Sequence, residues 1–137
     1  MSARSFFDTN VLVYMADKDE PEKQQRALSL FEEHRRNGTG VVSPQVLQEY
    51  FAAATRKLKL DAHVARRNVE LFGRFEVATV GVEDVLAAID LHLLHHISFW
   101  DGLILRTATQ MKCAVLLTED LQDGRVFEGV RVANPFR

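Results

Sequence analysis

The sequence predicts an α/β fold, a mostly parallel sheet with helices on both faces. Three observations carry this. Short apolar runs alternate along the chain with longer segments of helical period. Several of the runs, such as "GVV" at 40–42 and "CAVLL" at 113–117, are apolar throughout, as buried strands are. The chain has 137 residues, 47% of them hydrophobic, enough for one full core, so a single domain over residues 1–137 is expected.

The elements follow in order. Residues 4–7 read as a first strand, and Asn10 to about Ala16 as a short helix. "PEKQQRALSLFEEHRRNG" reads as a helix opened by Pro21 and stopped near Gly38, with His34, Arg35 and Arg36 matching the negative end of its dipole. "GVV" is the second strand. Ser43 and Pro44 then give an N-cap and a first helical residue. The helix that follows, to about Lys59, places Leu47, Phe51, Ala54 and Leu58 on one stripe, with Val46 and Tyr50 beside it. Asp61 caps a helix over 62–75, and residues 76–80 read as a third strand. Residues 81–96 are helical by period, with Val82, Val85, Leu86, Ile89 and Leu93 on one face. Ser98 opens the next helix. Residues 113–118 form a strand, 119–124 a turn and 129–135 a last strand.

The totals exclude several classes. A formal net charge of -2 rules out a uniformly basic nucleic-acid coat, though not a local patch. Cys113 is the only cysteine, which excludes an internal disulfide and a Cys-based zinc cluster and fits a reduced, cytoplasmic setting. Asp8 interrupts the first apolar run and no small-residue cleavage site follows, so no signal peptide is read. No stretch has the length of a membrane span, and a soluble protein is expected.

Acids stand where elements end. Open α/β sheets bind ligands outside the carboxyl ends of their strands. The first strand runs into Asp8, and "CAVLLT" into Glu119 and Asp120. Glu49 lies on the helix after the second strand, and Asp101 in the first turn of the helix opened by Ser98. Singly, each has a plain structural reading. Asp8 would cap the short helix, Glu49 would be one more solvated glutamate, Asp101 would complete a capping box in "SFWD", and Asp120 would belong to its turn. Together, converging carboxylates suit a hard cation such as Mg²⁺ or Mn²⁺, because without one they repel and raise each other's pKa. Such cations can clamp the attacking and leaving oxygens of a phosphodiester.

Taken in order, "FFDTNVLVY", "SPQVLQEYF", "SFWDGLIL" and "LLTEDLQDG" resemble the PIN domain, and specifically the small ribonuclease toxins of bacterial VapBC toxin–antitoxin pairs. The resemblance runs over nearly the whole chain. It implies a three-layer α/β/α sandwich around a mostly parallel sheet of four to five strands. It further implies a Mg²⁺- or Mn²⁺-dependent endoribonuclease and a homodimer inhibited by a cognate antitoxin. Asp8, Glu49 and Asp101 match the family's three core acids, and Asp120 its more variable fourth, with Asp123 as second choice. Thr9 and Asn10 match the polar pair after the first acid, where Asn10 would orient carboxylates, and Thr118 matches a hydroxyl before the fourth acid.

Other features have weaker claims. Arg56, Lys57, Lys59, Arg66 and Arg67 form a basic stretch that suits RNA phosphates or, equally, a solvated helical hairpin. His92 and His96 have a metal-binding spacing, but with His95 they read as packed or surface histidines. Trp100 is expected in the core, with base stacking as the alternative, and Cys113 reads as a small hydrophobe. Apolar positions over 21–75 exceed one small core, leaving some for a dimer or antitoxin groove. A haloacid-dehalogenase-type phosphatase would want an acid at position 10, where the chain has Asn10. A receiver domain would want a lysine after "CAVLLTED", which is not there. A catalytically inactive PIN-like module that binds RNA or a partner is the remaining alternative.

Overall fold

The computed structural model describes residues 3–137. Its elements run β1 (Ser5–Phe7), α1 (Thr9–Tyr14), α2 (Pro21–Asn37), β2 (Gly40–Val42), α3 (Pro44–Arg56), α4 (Ala62–Phe72), β3 (Glu76–Val77), α5 (Val82–His95), α6 (Phe99–Gln110), β4 (Val115–Leu117), β5 (Val126–Phe127) and β6 (Val130–Ala133). The strands form one sheet in the order β3-β2-β1-β4-β6-β5, parallel except for β5. This is the mostly parallel, helix-flanked sheet that the alternation predicts.

The order locates the working edge. From β1 the chain steps outward on one side to β2 and β3, then returns to lay β4 on the other side of β1. The strand order therefore reverses between β1 and β4, which opens a crevice at their carboxyl ends. In register, Phe7 stands opposite Leu117, so Asp8 and Thr118 leave the sheet side by side. Phe6, Phe7, Leu116 and Leu117 are buried and anchor that edge in the core.

The caps fall where the sequence puts them. Ser43 Oγ accepts from Val46 N at 3.3 Å, Asp61 accepts from His63 N at 2.8 Å, and Pro21 and Pro44 open their helices. Gly38 ends α2 in the left-handed region, which glycine adopts without a Cβ clash.

The structure departs from the sequence reading in five places. The sheet has a sixth strand, because Val126 and Phe127 fold back on β6 through Glu128 and Gly129, both at positive φ, as a tight hairpin requires. Two residues are too few to show a period. Strand β3 covers only 76–77 of the 76–80 expected, and α3 ends at Arg56 rather than near Lys59. On α3 the buried line is Val46, Tyr50 and Ala54, and Phe51 is exposed. Tyr50 is held inside because its hydroxyl accepts from Asn68 Nδ2 at 2.9 Å.

The largest difference is on α5. The apolar face of α5 points to solvent, with Val82 75% and Leu93 65% exposed, while Asp84, Ala88 and Leu91 are buried. Close approach of α6 selects this small-residue face. A Cβ on Gly102 would lie 2.7 Å from the Ala88 carbonyl oxygen. Asp84 completes the contact by accepting from Gly81 N and from Arg106 Nε, each at 2.9 Å. Gly102→Ala should force the helices apart and cost about 1–3 kcal/mol. Thermal unfolding should show a drop of several degrees, and an unchanged midpoint would contradict the packing account.

Candidate functional site

Asp8 is the N-cap of α1 at the end of β1. Its backbone N–H donates to the Leu117 carbonyl at 3.0 Å, which ties it to β4. The residue is 7% exposed, and its side chain serves two purposes. Oδ1 accepts from Thr9 N at 2.7 Å and caps the helix. Oδ2 accepts from the Thr118 hydroxyl at 2.8 Å and from Asn10 Nδ2 at 3.4 Å. Capping and site roles therefore coexist in one carboxylate.

Asn10 links the strand ends. Its Nδ2 also reaches Thr118 Oγ1 and Asp120 Oδ2, both at 3.1 Å, and its Oδ1 accepts from Glu119 N at 3.4 Å. Glu49 comes in from α3, where Thr9 Oγ1 donates to Oε1 at 3.0 Å and Gln45 Nε2 at 3.4 Å. Asp101 sits in the first turn of α6, whose cap is Ser98 Oγ accepting from Asp101 N at 3.0 Å. The four acids line one open cleft of about 310 Å³, together with Thr9, Gln45, Arg56, Lys57, Trp100 and Ile104.

The electrostatics reflect the crowding. Burial pushes the Asp8 carboxyl up to about 7; hydrogen bonds from Thr118 and Thr9 oppose this, and the charges of Asp120 and Asp101 add to it. Burial likewise raises Asp101, with the Ser98 hydroxyl pulling down and Asp120 adding to the rise. Desolvation is the larger cause in both, and like-charge repulsion compounds it. Among the described residues, no three acidic, histidine or cysteine side chains are already gathered closely enough to ligate one ion.

The PIN domain family's sequence model matches residues 5–126, from β1 through the start of β5. The chain belongs to the PIN domain family. The cleft of this PIN domain lies on the edge where the matched segment brings β1 and β4 together. Two solved structures share its fold. One is the Mycobacterium tuberculosis toxin VapC20, described as cleaving the sarcin–ricin loop, with a TM-score of 0.68 and 17% identity, covering 82% of this chain and 86% of that one. The other is a toxin–antitoxin complex from Klebsiella pneumoniae, with a TM-score of 0.69 and 19% identity, covering 96% of this chain and 97% of that one. No curated protein sequence matches the chain.

Other sequence-predicted residues of the PIN domain are divided. Asp120 lines the cleft, whereas Asp123 Oδ1 accepts from Asn134 N at 2.8 Å and braces the last turn. Arg56 and Lys57 reach the cleft; Arg66 instead pairs with Glu70 on α4, and Lys59 and Arg67 are not among the lining residues. The histidines do not gather: His92 Nδ1 contacts the Ile97 carbonyl, His95 lies edge-on to Phe127, and His96 caps α5. Cys113 is buried, and burial pushes its thiol up to about 11, so it is inert as a nucleophile. Trp100 contradicts its core expectation. It is 60% exposed and lines the cleft from the first turn of α6.

Two features escape the sequence. Gln45 braces Glu49, and its only signal is a position one helical turn earlier. Tyr14 donates to Glu119 Oε1 at 2.7 Å while Lys23 reaches Tyr14 Oη at 3.1 Å and Glu119 at 3.4 Å. This cluster pins Glu119 away from the acids and leaves Asp120 facing the cleft.

Proposed function

We propose that the chain is a divalent-cation-dependent endoribonuclease, the toxin of a toxin–antitoxin pair. The observation that carries this reading is the convergence of Asp8, Glu49, Asp101 and Asp120 on one open cleft, at the strand-order reversal of a PIN domain. The donor set fits Mg²⁺ or Mn²⁺. It is all oxygen, and a cation would offset both the burial of the Asp8 carboxylate and the neighbouring charges of Asp120 and Asp101. When bound, the cation supplies polarisation of the phosphate and activation of water.

The chain's own groups do the rest. Asp8, Glu49, Asp101 and Asp120 would hold the cation directly or through water. Thr9 and Gln45 hold Glu49 in position, and Asn10 bridges Asp8 and Asp120, so the carboxylates are held facing the cleft and would close in on a cation as it binds. The Thr118 hydroxyl opposes the rise in the Asp8 pKa and helps keep that carboxylate ionised for binding. Arg56 and Lys57 bind phosphates beside the scissile one. No Ser, Cys or His nucleophile is required.

Two surfaces support protein partners. Leu47, Phe51 and Val69, with Gln48 and Arg66, line an apolar groove of about 410 Å³ between α3 and α4, suited to an amphipathic helix of an antitoxin. The exposed apolar face of α5 suits a homodimer. Among the described residues no helix is long and apolar enough to cross a membrane. Purified protein should cleave cellular RNA in Mn²⁺, stop in EDTA and resume when Mn²⁺ is returned. Undiminished cleavage in EDTA would overturn the cation-dependent mechanism.

A further inference from the structure

The sole tryptophan of the chain stands at the mouth of the cleft. Trp100 is 60% exposed, although an indole in water forfeits the burial of a large apolar surface. It directly precedes Asp101 and lines the cleft with all four acids. Phe99 packs against it edge-on, with ring centroids 5.0 Å apart and planes at 72°, which restrains the indole without covering it. Arg56 and Lys57 come from α3 to the same cleft. Cations, carboxylates and one uncovered aromatic thus share a single cavity.

We propose that Trp100 is a stacking platform for the base next to the scissile phosphate. The inference rests on the ribonuclease reading above. Cations take flanking phosphates, and the acids serve the reacting phosphate. An exposed indole adds a broad apolar surface that matches the flat face of a base. Stacking requires an unpaired nucleotide, so the cleft takes single-stranded RNA or a loop rather than a continuous duplex. Because every base has such a face, Trp100 selects for unpaired state and little for base identity.

The single indole makes the test direct. The Asp101→Asn chain, in Mg²⁺, is titrated with an oligouridylate of about ten nucleotides, a length that spans a single-strand site. An abasic ribose-phosphate oligomer of equal length serves as comparison. The oligouridylate should quench the indole fluorescence and, by polarisation of dye-labelled oligomers, a readout the Trp100 variants share, bind about tenfold more tightly than the abasic chain. Trp100→Ala should erase that difference, and Trp100→Phe should retain most of it. Equal binding of the two oligomers, or a difference that survives Trp100→Ala, overturns the inference. So does a Trp100→Ala chain that loses self-association while keeping its preference for bases, since the indole then belongs to an interface with a second copy. If neither oligomer binds and the wild-type chain cleaves no RNA, the ribonuclease reading itself fails, and the inference with it.

Discussion

Replacing Asp101 by asparagine is expected to slow RNA cleavage about a hundredfold or more and to leave the fold intact. The substitution keeps the side chain's size and removes its charge. The cap of α6 survives, because Ser98 Oγ accepts from the backbone N–H of residue 101 and not from its side chain. The tight α5–α6 contact is made by Ala88 and Gly102 and is likewise untouched. Circular dichroism and thermal unfolding should match wild type, while cleavage in Mn²⁺ falls. Full activity in the purified variant would remove Asp101 from the mechanism. A collapsed fold would show instead that the carboxylate is structural.

Asp8→Asn is expected to have effects of opposite sign on stability and on cation binding. In the folded chain Asp8 holds its proton up to about 7, against an ordinary value of 3.8. Between those values the native state keeps a proton that the unfolded chain has released. Stability of the cation-free protein therefore falls as pH rises through this window, by roughly a few kcal/mol at most, and levels off above it. The variant cannot ionise at residue 8, so this part of the pH dependence should vanish. Its unfolding midpoint should exceed wild type by several degrees at about pH 8 in EDTA. His34, whose imidazole burial holds below its usual range, contributes to both proteins and cancels in the comparison. Asparagine can still cap α1 through Oδ1, but its amide would face a Thr118 hydroxyl that already accepts from Asn10 Nδ2 and Asp120 N. That clash of donors tempers the gain. A lower midpoint than wild type at about pH 8 would mean that the native hydrogen bonds of Asp8 outweigh its buried charge.

Asp8 and Asp101 were visible in the sequence as acids at the ends of elements, Asp8 most clearly because it breaks an apolar run, whereas Glu49 lies inside α3 and only its place in the PIN-like motif order singled it out. Periodicity together with proline starts, caps and dipole charges also located the six helices of the described residues. The choice between Asp120 and Asp123 was not legible. It depends on Asn134, eleven residues further on, whose N–H engages Asp123. Nor was the buried face of α5. A helix apolar nearly all round can pack several ways, and here the decision belongs to Gly102 on another helix. Strand order was equally hidden, because the placement of β4 beside β1 is a long-range contact that no local pattern encodes. Nor was the exposure of Trp100 legible, because a lone tryptophan on a largely apolar helix reads as core.

The central claim is that these carboxylates hold a divalent cation. Calorimetric titration of Mn²⁺ into wild-type protein and Asp8→Asn, near neutral pH, tests it most directly. Saturable binding of one or two ions per chain by the wild type, weakened about ten- to a hundredfold or lost in Asp8→Asn, is the expected result. No saturable binding to the wild type, or equal binding to both proteins, would contradict it.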